Sequence, residues 1–392
     1  MEQRQPLYYL TANLLHRSYP LIETFFLTLL LSAADFGRWS WASAFYTGVM
    51  SVAHGGIPAA LLRYSAITSE APLSLLHYAL RKLLVWVGGG CLALLGLSLT
   101  VPPSIRWIIW TQLPALLAGL IGEAFRAYLR GRLEERRILF WQVGSTCMGL
   151  LLTISLTLVY DIQGAAIARA LQPVWGLLPI SREILAALQT PPREVAEFSR
   201  FSWLALTGNL AMEALFFLPP WFIGWHSSSP LVLAYWRWAT LLPFNIRIFF
   251  SQAVLYLYPR WARQRESSSY LLYRRLRPSL HLTALIGVIL LFVIGLFWEI
   301  FPGESYLPAR KYYWFALMVG YIWSTEALVL PNILSAQGWI HHFGKSYVIA
   351  LFTALPFYAL GGDRILTYLI GMGVSGLIAA FTSLYEIRRR DK

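Results

Sequence analysis

Charge and cysteine are both scarce in this chain. Only 13% of its 392 residues are charged while 57% are hydrophobic, far from the roughly 25% charge of soluble globular domains. That balance excludes a soluble enzyme and a disordered charged segment alike, and leaves a polytopic membrane protein. The two cysteines, Cys91 and Cys147, fall singly in different apolar stretches. A disulfide framework or a cysteine metal site therefore has no support, and both read as packing residues. The chain has no GxxxxGK[ST] stretch, so direct ATP use is not expected. Lysine is rare too: 28 of the 32 basic residues are arginine.

What is present is hydrophobic length. A membrane-crossing helix needs about 20 mostly apolar residues, and twelve such spans are predicted, near 7–32, 36–62, 76–101, 107–129, 138–160, 163–187, 198–225, 230–258, 279–301, 312–334, 343–361 and 364–385. The first ends in "LLLSAADF" and is read as a retained helix rather than a cleaved signal, because its basic flank is weak and Glu23 interrupts it. Basic residues mark the cytoplasmic side. On the twelve-span count 23 of the 32 fall inside, with clusters in "RAYLRGRLEERR", "PRWARQRESSSYLLYRRLRP" and the tail "EIRRRDK". Both termini are predicted cytoplasmic, in a bacterial inner membrane. The net charge of +13 is explained by this topology and by attraction to anionic lipid, with no nucleic-acid partner required.

The second and eighth spans repeat one another at an offset of 197 residues. Trp39, Trp41, Ala42, Ser43, Arg63 and Tyr64 align without a gap with Trp236, Trp238, Ala239, Thr240, Arg260 and Trp261. Six spans is an even number, so the halves share one orientation. The expected fold is all-α, two six-helix lobes (1–190 and 191–392) related by a pseudo-two-fold axis along the membrane normal. The segments "FGRWSWASAFYTGVMSVAHGGIPAALLRYSA" and "EAFRAYLRGRLEERRILFWQVGSTCMGLLLTISLTLVYDIQGAAIARAL" resemble the polysaccharide and O-antigen (Wzx-like) flippases of the multidrug/oligosaccharidyl-lipid/polysaccharide exporter superfamily. "LAYWRWATLL…LYPRWAR" resembles the ends of the same family's eighth helix. The chain departs from many relatives in its seventh span, where Pro219 and Pro220 stand near the place of an aspartate. The resemblance implies a flippase moving an undecaprenyl-pyrophosphate-linked glycan to the periplasmic leaflet by alternating access, a monomer working beside glycan polymerases or ligases, with no cofactor.

Four arginines lie deep within predicted spans, away from their ends: Arg17, Arg169, Arg237 and Arg247. At roughly 3 kcal/mol each, leaving them in lipid would cost on the order of 12 kcal/mol, so they must face acids, an interface or a wet cavity. Arg237 and Arg247 are separated by about 15 Å of helix rise and about 80° of rotation, at different depths of one broad face. Depth counting pairs Glu213 with Arg237 and leaves Arg247 and Arg17 as the stronger ligand contacts. Snorkelling to the interface is the competing reading for Arg17 and Arg169, and fits Arg169 better. A guanidinium fork matches phosphate oxygens and stays charged when partly desolvated, which suits a pyrophosphate whose lipid tail remains in the bilayer. The intramembrane carboxylates Glu23, Glu123, Glu213 and Glu326 are candidates for proton or sodium coupling or for structural ion pairs, with Arg126 the expected partner of Glu123. His54, in "AHGGIP", reads as part of a helix kink, and Pro243 as a possible kink between the two arginines. His341 and His342 have no metal-ligand companions.

Two other classes compete. A drug exporter of the same superfamily would share the fold, but exporters of organic cations favour an acidic cavity, and four embedded arginines offset the four glutamates. A glycan ligase or polymerase needs an external loop with a general acid and base. The longest external stretch, "EIFPGESYLPARK", offers Glu299 and Glu304 without a convincing pair.

Overall fold

The computed structural model describes residues 5–67, 72–195, 197–227, 229–263, 269–297, 304–336 and 339–390, and no strand occurs among them. The helices are α1 (Gln5–Leu30), α2 (Ala33–Ala53), α3 (Ile57–Ile67), α4 (Pro72–Ser98), α5 (Pro103–Thr111), α6 (Leu113–Gly131), α7 (Glu135–Leu177) and α8 (Ser181–Gln189). They continue with α9 (Phe198–His226), α10 (Pro230–Arg263), α11 (Ser269–Leu296), α12 (Arg310–Ser324), α13 (Glu326–Ala336), α14 (Ile340–Leu360) and α15 (Ile365–Arg390). This is the all-α polytopic architecture the composition requires.

These segments make twelve crossings among the described residues. The pairs α2–α3, α5–α6 and α12–α13 each form one span in two pieces. Helix α7 is itself two, reversing at Tyr160 and Asp161, where Asp161 takes φ 49°. That break falls where the sequence separates the fifth and sixth spans. Backbone polar groups cannot be left bare in hydrocarbon, which is why helices alone carry the crossings. Leu84, Val85 and Leu92 on α4, Leu151 and Leu158 on α7, and Ile289 and Leu290 on α11 are exposed. In water such a surface would drive association; in a bilayer it meets lipid.

The chain divides into two compact units, one of Met1–Ser32 with Trp41–Leu210, the other of Ala33–Ser40 with Ala211–Lys392. In the first, α7 packs on α1 and α6, and α6 packs on α3 and α4. In the second, α15 packs on α12, α13 and α14, while α10 lies along α12 and α13. The aligned tryptophans Trp39, Trp41, Trp236 and Trp238 are all buried. The side chains of Arg260 and Trp261, at the far end of the repeat, lie outside the described residues.

Breaks occur where the sequence supplies the means. The second span bends by 47° between α2 and α3. Gly55 and Gly56 there take φ of 57° and 67°, a region open to glycine but strained for other residues, and the Gly56 N–H donates to His54 Nδ1 at 3.0 Å. A methyl on Gly56 would also stand 2.0 Å from the Ser202 carbonyl oxygen of α9. The kink role read for His54 is thus realised. The tenth span, read as one helix over 312–334, is instead broken at Thr325 (φ −107°, ψ −118°). Pro243, read as a possible kink, lies within one continuous helix, α10.

Prolines elsewhere are accommodated by tyrosines. A proline at position i removes the N–H that would bond the carbonyl of i−4. In α9 Pro219 thereby releases the carbonyl of Leu215, and the Tyr358 hydroxyl of α14 donates to it at 3.0 Å. In α13 Pro331 releases Ala327, whose carbonyl accepts from Tyr347 of α14 at 3.0 Å. Both tyrosines are fully buried, so each hydroxyl also finds the partner that burial demands.

Candidate functional sites

Among the polar clusters of the helical spans, those built on Arg169, Arg247 and Glu326 each lie within one unit. In the first unit, Arg169 of α7 meets Glu23 of α1 at 2.9 Å, with side-chain exposures of 21% and 3%. Tyr19, one turn before Glu23, donates its hydroxyl to that carboxylate at 3.2 Å. The Arg169 guanidinium also stands 5.3 Å from the centre of the Tyr46 ring, and the Tyr46 hydroxyl donates to the Ala115 carbonyl. Arg169, expected to reach for the interface, is thus paired with Glu23 across two helices. Its charge is met by a carboxylate of the facing helix that is itself almost fully buried. The side chain of Arg17 lies outside the described residues.

In the second unit Glu213 of α9 pairs with Arg247 of α10 at 3.8 Å. This corrects the expected pairing of Glu213 with Arg237. Glu213 lies 13 residues before His226, the end of α9, while Arg237 and Arg247 lie 7 and 17 residues after Pro230, the start of α10. Measured from that shared turn at 1.5 Å per residue, the depths are about 20 Å for Glu213, about 11 Å for Arg237 and about 26 Å for Arg247. A long guanidinium closes the smaller gap. Arg237 is half-buried.

The Arg247 guanidinium lies 3.7 Å from the centre of the Phe216 ring, a cation–π contact at close range. Phe216 meets Trp323 edge to face at 5.1 Å, and Trp323 is held by its Nε1–H to the Met372 carbonyl at 2.9 Å. The guanidinium is thus oriented by an aromatic floor and attracted by a carboxylate beyond hydrogen-bond distance. An anion that displaced Glu213 would find the fork already turned.

The third cluster gathers on Glu326, the first residue of α13. Its Oε1 accepts from Tyr273 at 2.9 Å and meets His281 Nε2 at 2.6 Å and Arg277 Nε at 3.5 Å. Tyr273, Arg277 and His281 are spaced by four along α11, so they form one stripe of that helix. Glu123, finally, takes Arg126 at 2.6 Å on its own helix, and Arg126 lies over Trp141. The third cluster's partners were missed from sequence. The stripe Tyr273, Arg277, His281 was legible, but nothing local said that it would face Glu326 across the break at Thr325.

No group of three or more histidine, cysteine, aspartate or glutamate side chains suited to a metal ion occurs among the described residues.

No protein-family model matches the chain, and no curated protein matches it in sequence. Solved structures do match in fold. The lipid II flippase MurJ, in an inward closed conformation, superposes with TM-score 0.76 at 10% identity, over 98% of this chain and 89% of MurJ. The Vibrio cholerae MATE transporter VcmN gives 0.69 at 15% identity, over 99% and 95%. An inward-facing multidrug resistance MATE transporter of the MOP superfamily gives 0.67 at 14%, over 98% of each chain. The chain therefore has the helical fold shared by MATE transporters and the MurJ flippase.

Proposed function

We propose that the protein is a flippase for an undecaprenyl-pyrophosphate-linked oligosaccharide, carrying the glycan from the cytoplasmic to the periplasmic leaflet of a bacterial inner membrane by alternating access. The observation that supports this most is Arg247: a cation well inside the second unit, oriented on Phe216 and held by Glu213 at 3.8 Å. That arrangement suits a phosphate oxygen, which a planar guanidinium binds bidentately. Arg237, and Arg17 near the middle of α1, extend the supply of positive charge, while Arg169 serves the first unit through its pair with Glu23. The similarity in fold to a lipid II flippase agrees with a cargo that has a lipid tail and a polar head. The protein acts as a monomer with both termini in the cytoplasm, and assembly enzymes that polymerise or ligate the glycan are its partners.

Export of organic cations is the second reading, favoured by the carboxylates Glu23 and Glu213 buried or half-buried in each unit and by the fold similarity to multidrug MATE transporters. One experiment separates the two. Cells lacking their own glycan flippase, but carrying the matched glycan pathway, are complemented with this chain and assayed in parallel for surface glycan and for efflux of ethidium. The flippase reading predicts restored glycan without added efflux. Added efflux with no glycan would favour the exporter.

A further inference from the structure

The Glu326 cluster is not needed to hold a pyrophosphate, and its geometry has a chemistry of its own. Both nitrogens of His281 are engaged: Nε2 with Glu326 Oε1 at 2.6 Å and Nδ1 with the Tyr321 hydroxyl at 2.6 Å. With a neutral ring, Nε2–H donates to the carboxylate and Nδ1 accepts from Tyr321 O–H. When a proton arrives from water on Nδ1, that nitrogen becomes a donor to the same tyrosine oxygen. The hydroxyl hydrogen only has to rotate about its C–O bond, and no heavy atom moves. In each of the two protonation states both ring nitrogens of His281 keep a hydrogen-bond partner at one set of coordinates.

The donor set also discriminates between ions. Oε1 of Glu326 already takes a phenol, an imidazole and, at 3.5 Å, a guanidinium. A hard metal cation wants oxygen ligands and would stand beside the Arg277 charge, whereas a proton on His281 needs no ligand displaced and gains the facing carboxylate. The His281 side chain is 29% exposed and that of Glu326 21%, so neither is sealed inside the unit. Among the described residues, the titratable groups that touch the pair are Tyr273 and Arg277 from α11 and Tyr321 from α12. Of the charges on the neighbouring helices, Arg247 of α10 is engaged with Glu213, and Glu386 of α15 with Lys345 and His342 of α14.

The position of the pair gives the proton something to act on. Glu326 opens α13 immediately after the break at Thr325, so the charge on His281 sets the pull between α11 and the joint of the tenth span. Trp323, two residues before Thr325, meets Phe216, whose ring carries the Arg247 guanidinium. Gly320 of α12 lies against the backbone of α10: a methyl there would be 2.4 Å from the Pro243 carbonyl oxygen. A shift of α12 is therefore felt by the helix that bears Arg247.

We propose that His281, held between Glu326 and Tyr321, is a proton-binding site of the second unit, and that its change of charge works on the α12–α13 joint beside the arginine site. The inference rests on the transporter reading only for its use, not for the site itself. The test is therefore made on resting protein. The purified full chain in nanodiscs is taken from pH 8 to pH 5.5 and back, and the imidazole-to-imidazolium bands are read by infrared difference spectroscopy. Hydrogen exchange of the peptide spanning residues 320–336 is followed in the same samples at matched pH. The expected result is a reversible histidine signal that loses one residue's amplitude in His281→Gln, with acid-dependent exchange at the joint abolished in that variant. Glu326→Gln, which keeps a hydrogen-bonding side chain, should weaken proton uptake at His281 about tenfold, and it decides the matter if His281→Gln does not fold. An undiminished histidine signal in His281→Gln, or uptake in Glu326→Gln equal to wild type, overturns the proposal. So does joint exchange that ignores the protonation of His281. Failure of glycan complementation would leave all these readouts in place, so the two ideas fail separately.

Discussion

At the residue scale the embedded arginines divide by how they are held. Arg169 is held by an ion pair: Glu23 is almost fully buried against it at 2.9 Å, and a buried carboxylate stripped of its partner is costly. Arg169→Gln is expected to lower stability by about 3 kcal/mol, read as a fall in the thermal midpoint in detergent. The double variant Glu23→Gln with Arg169→Gln should recover part of that loss, because no uncompensated charge remains. A double variant as unstable as the sum of the singles would show the two to be independent. This distinction was only partly legible in the sequence. The count of charges within spans was, since it needs only hydrophobic length. The pairing was not, because Glu23 and Arg169 are 146 residues apart and because counting depth from approximate span ends favoured Arg237 over Arg247 for Glu213.

At the element scale the helices keep their length through polar repairs supplied from elsewhere. If Tyr358 stands in for the N–H that Pro219 lacks, Tyr358→Phe should cost about 1–2 kcal/mol. In a Pro219→Ala background the same change should cost less than half as much, since Leu215 regains a helical partner. Equal losses in both backgrounds would mean that the hydroxyl does not serve the proline. The bend between α2 and α3 gives a second prediction. Gly56→Ala forces a positive φ on alanine and drives a methyl into the Ser202 carbonyl, so a loss of more than about 2 kcal/mol is expected. Gly88→Ala in α4, with open space around the site, should be neutral or slightly stabilising. Measuring the two variants side by side controls for expression and detergent. The glycine pair, and with it the bend, could be read from "AHGGIP". The break at Thr325 could not, because Ser324, Thr325 and Glu326 carry no glycine or proline, and the packing of α13 on α10 and α15 joins residues far apart in the chain.

At the scale of the whole molecule, twelve crossings require that both ends of the chain lie on one side of the membrane. Reporter fusions at either terminus should be active only in their cytoplasm-competent form, and a periplasm-active reporter at the C-terminus would remove one crossing from the count. The fold itself is shared with proteins of differing cargo, MurJ and MATE transporters, so fold alone does not select the substrate. The proposed pyrophosphate-bearing cargo rests on the oriented guanidinium at Arg247. Its most direct test is flipping of a fluorescent polyprenyl-pyrophosphate-linked sugar in proteoliposomes, comparing wild type with Arg247→Lys and Arg247→Gln at equal reconstitution. The account predicts transport by wild type, a loss of about tenfold or more in Arg247→Lys, where charge remains but the fork and its stacking do not, and near-complete loss in Arg247→Gln. Transport undiminished in both variants would contradict it.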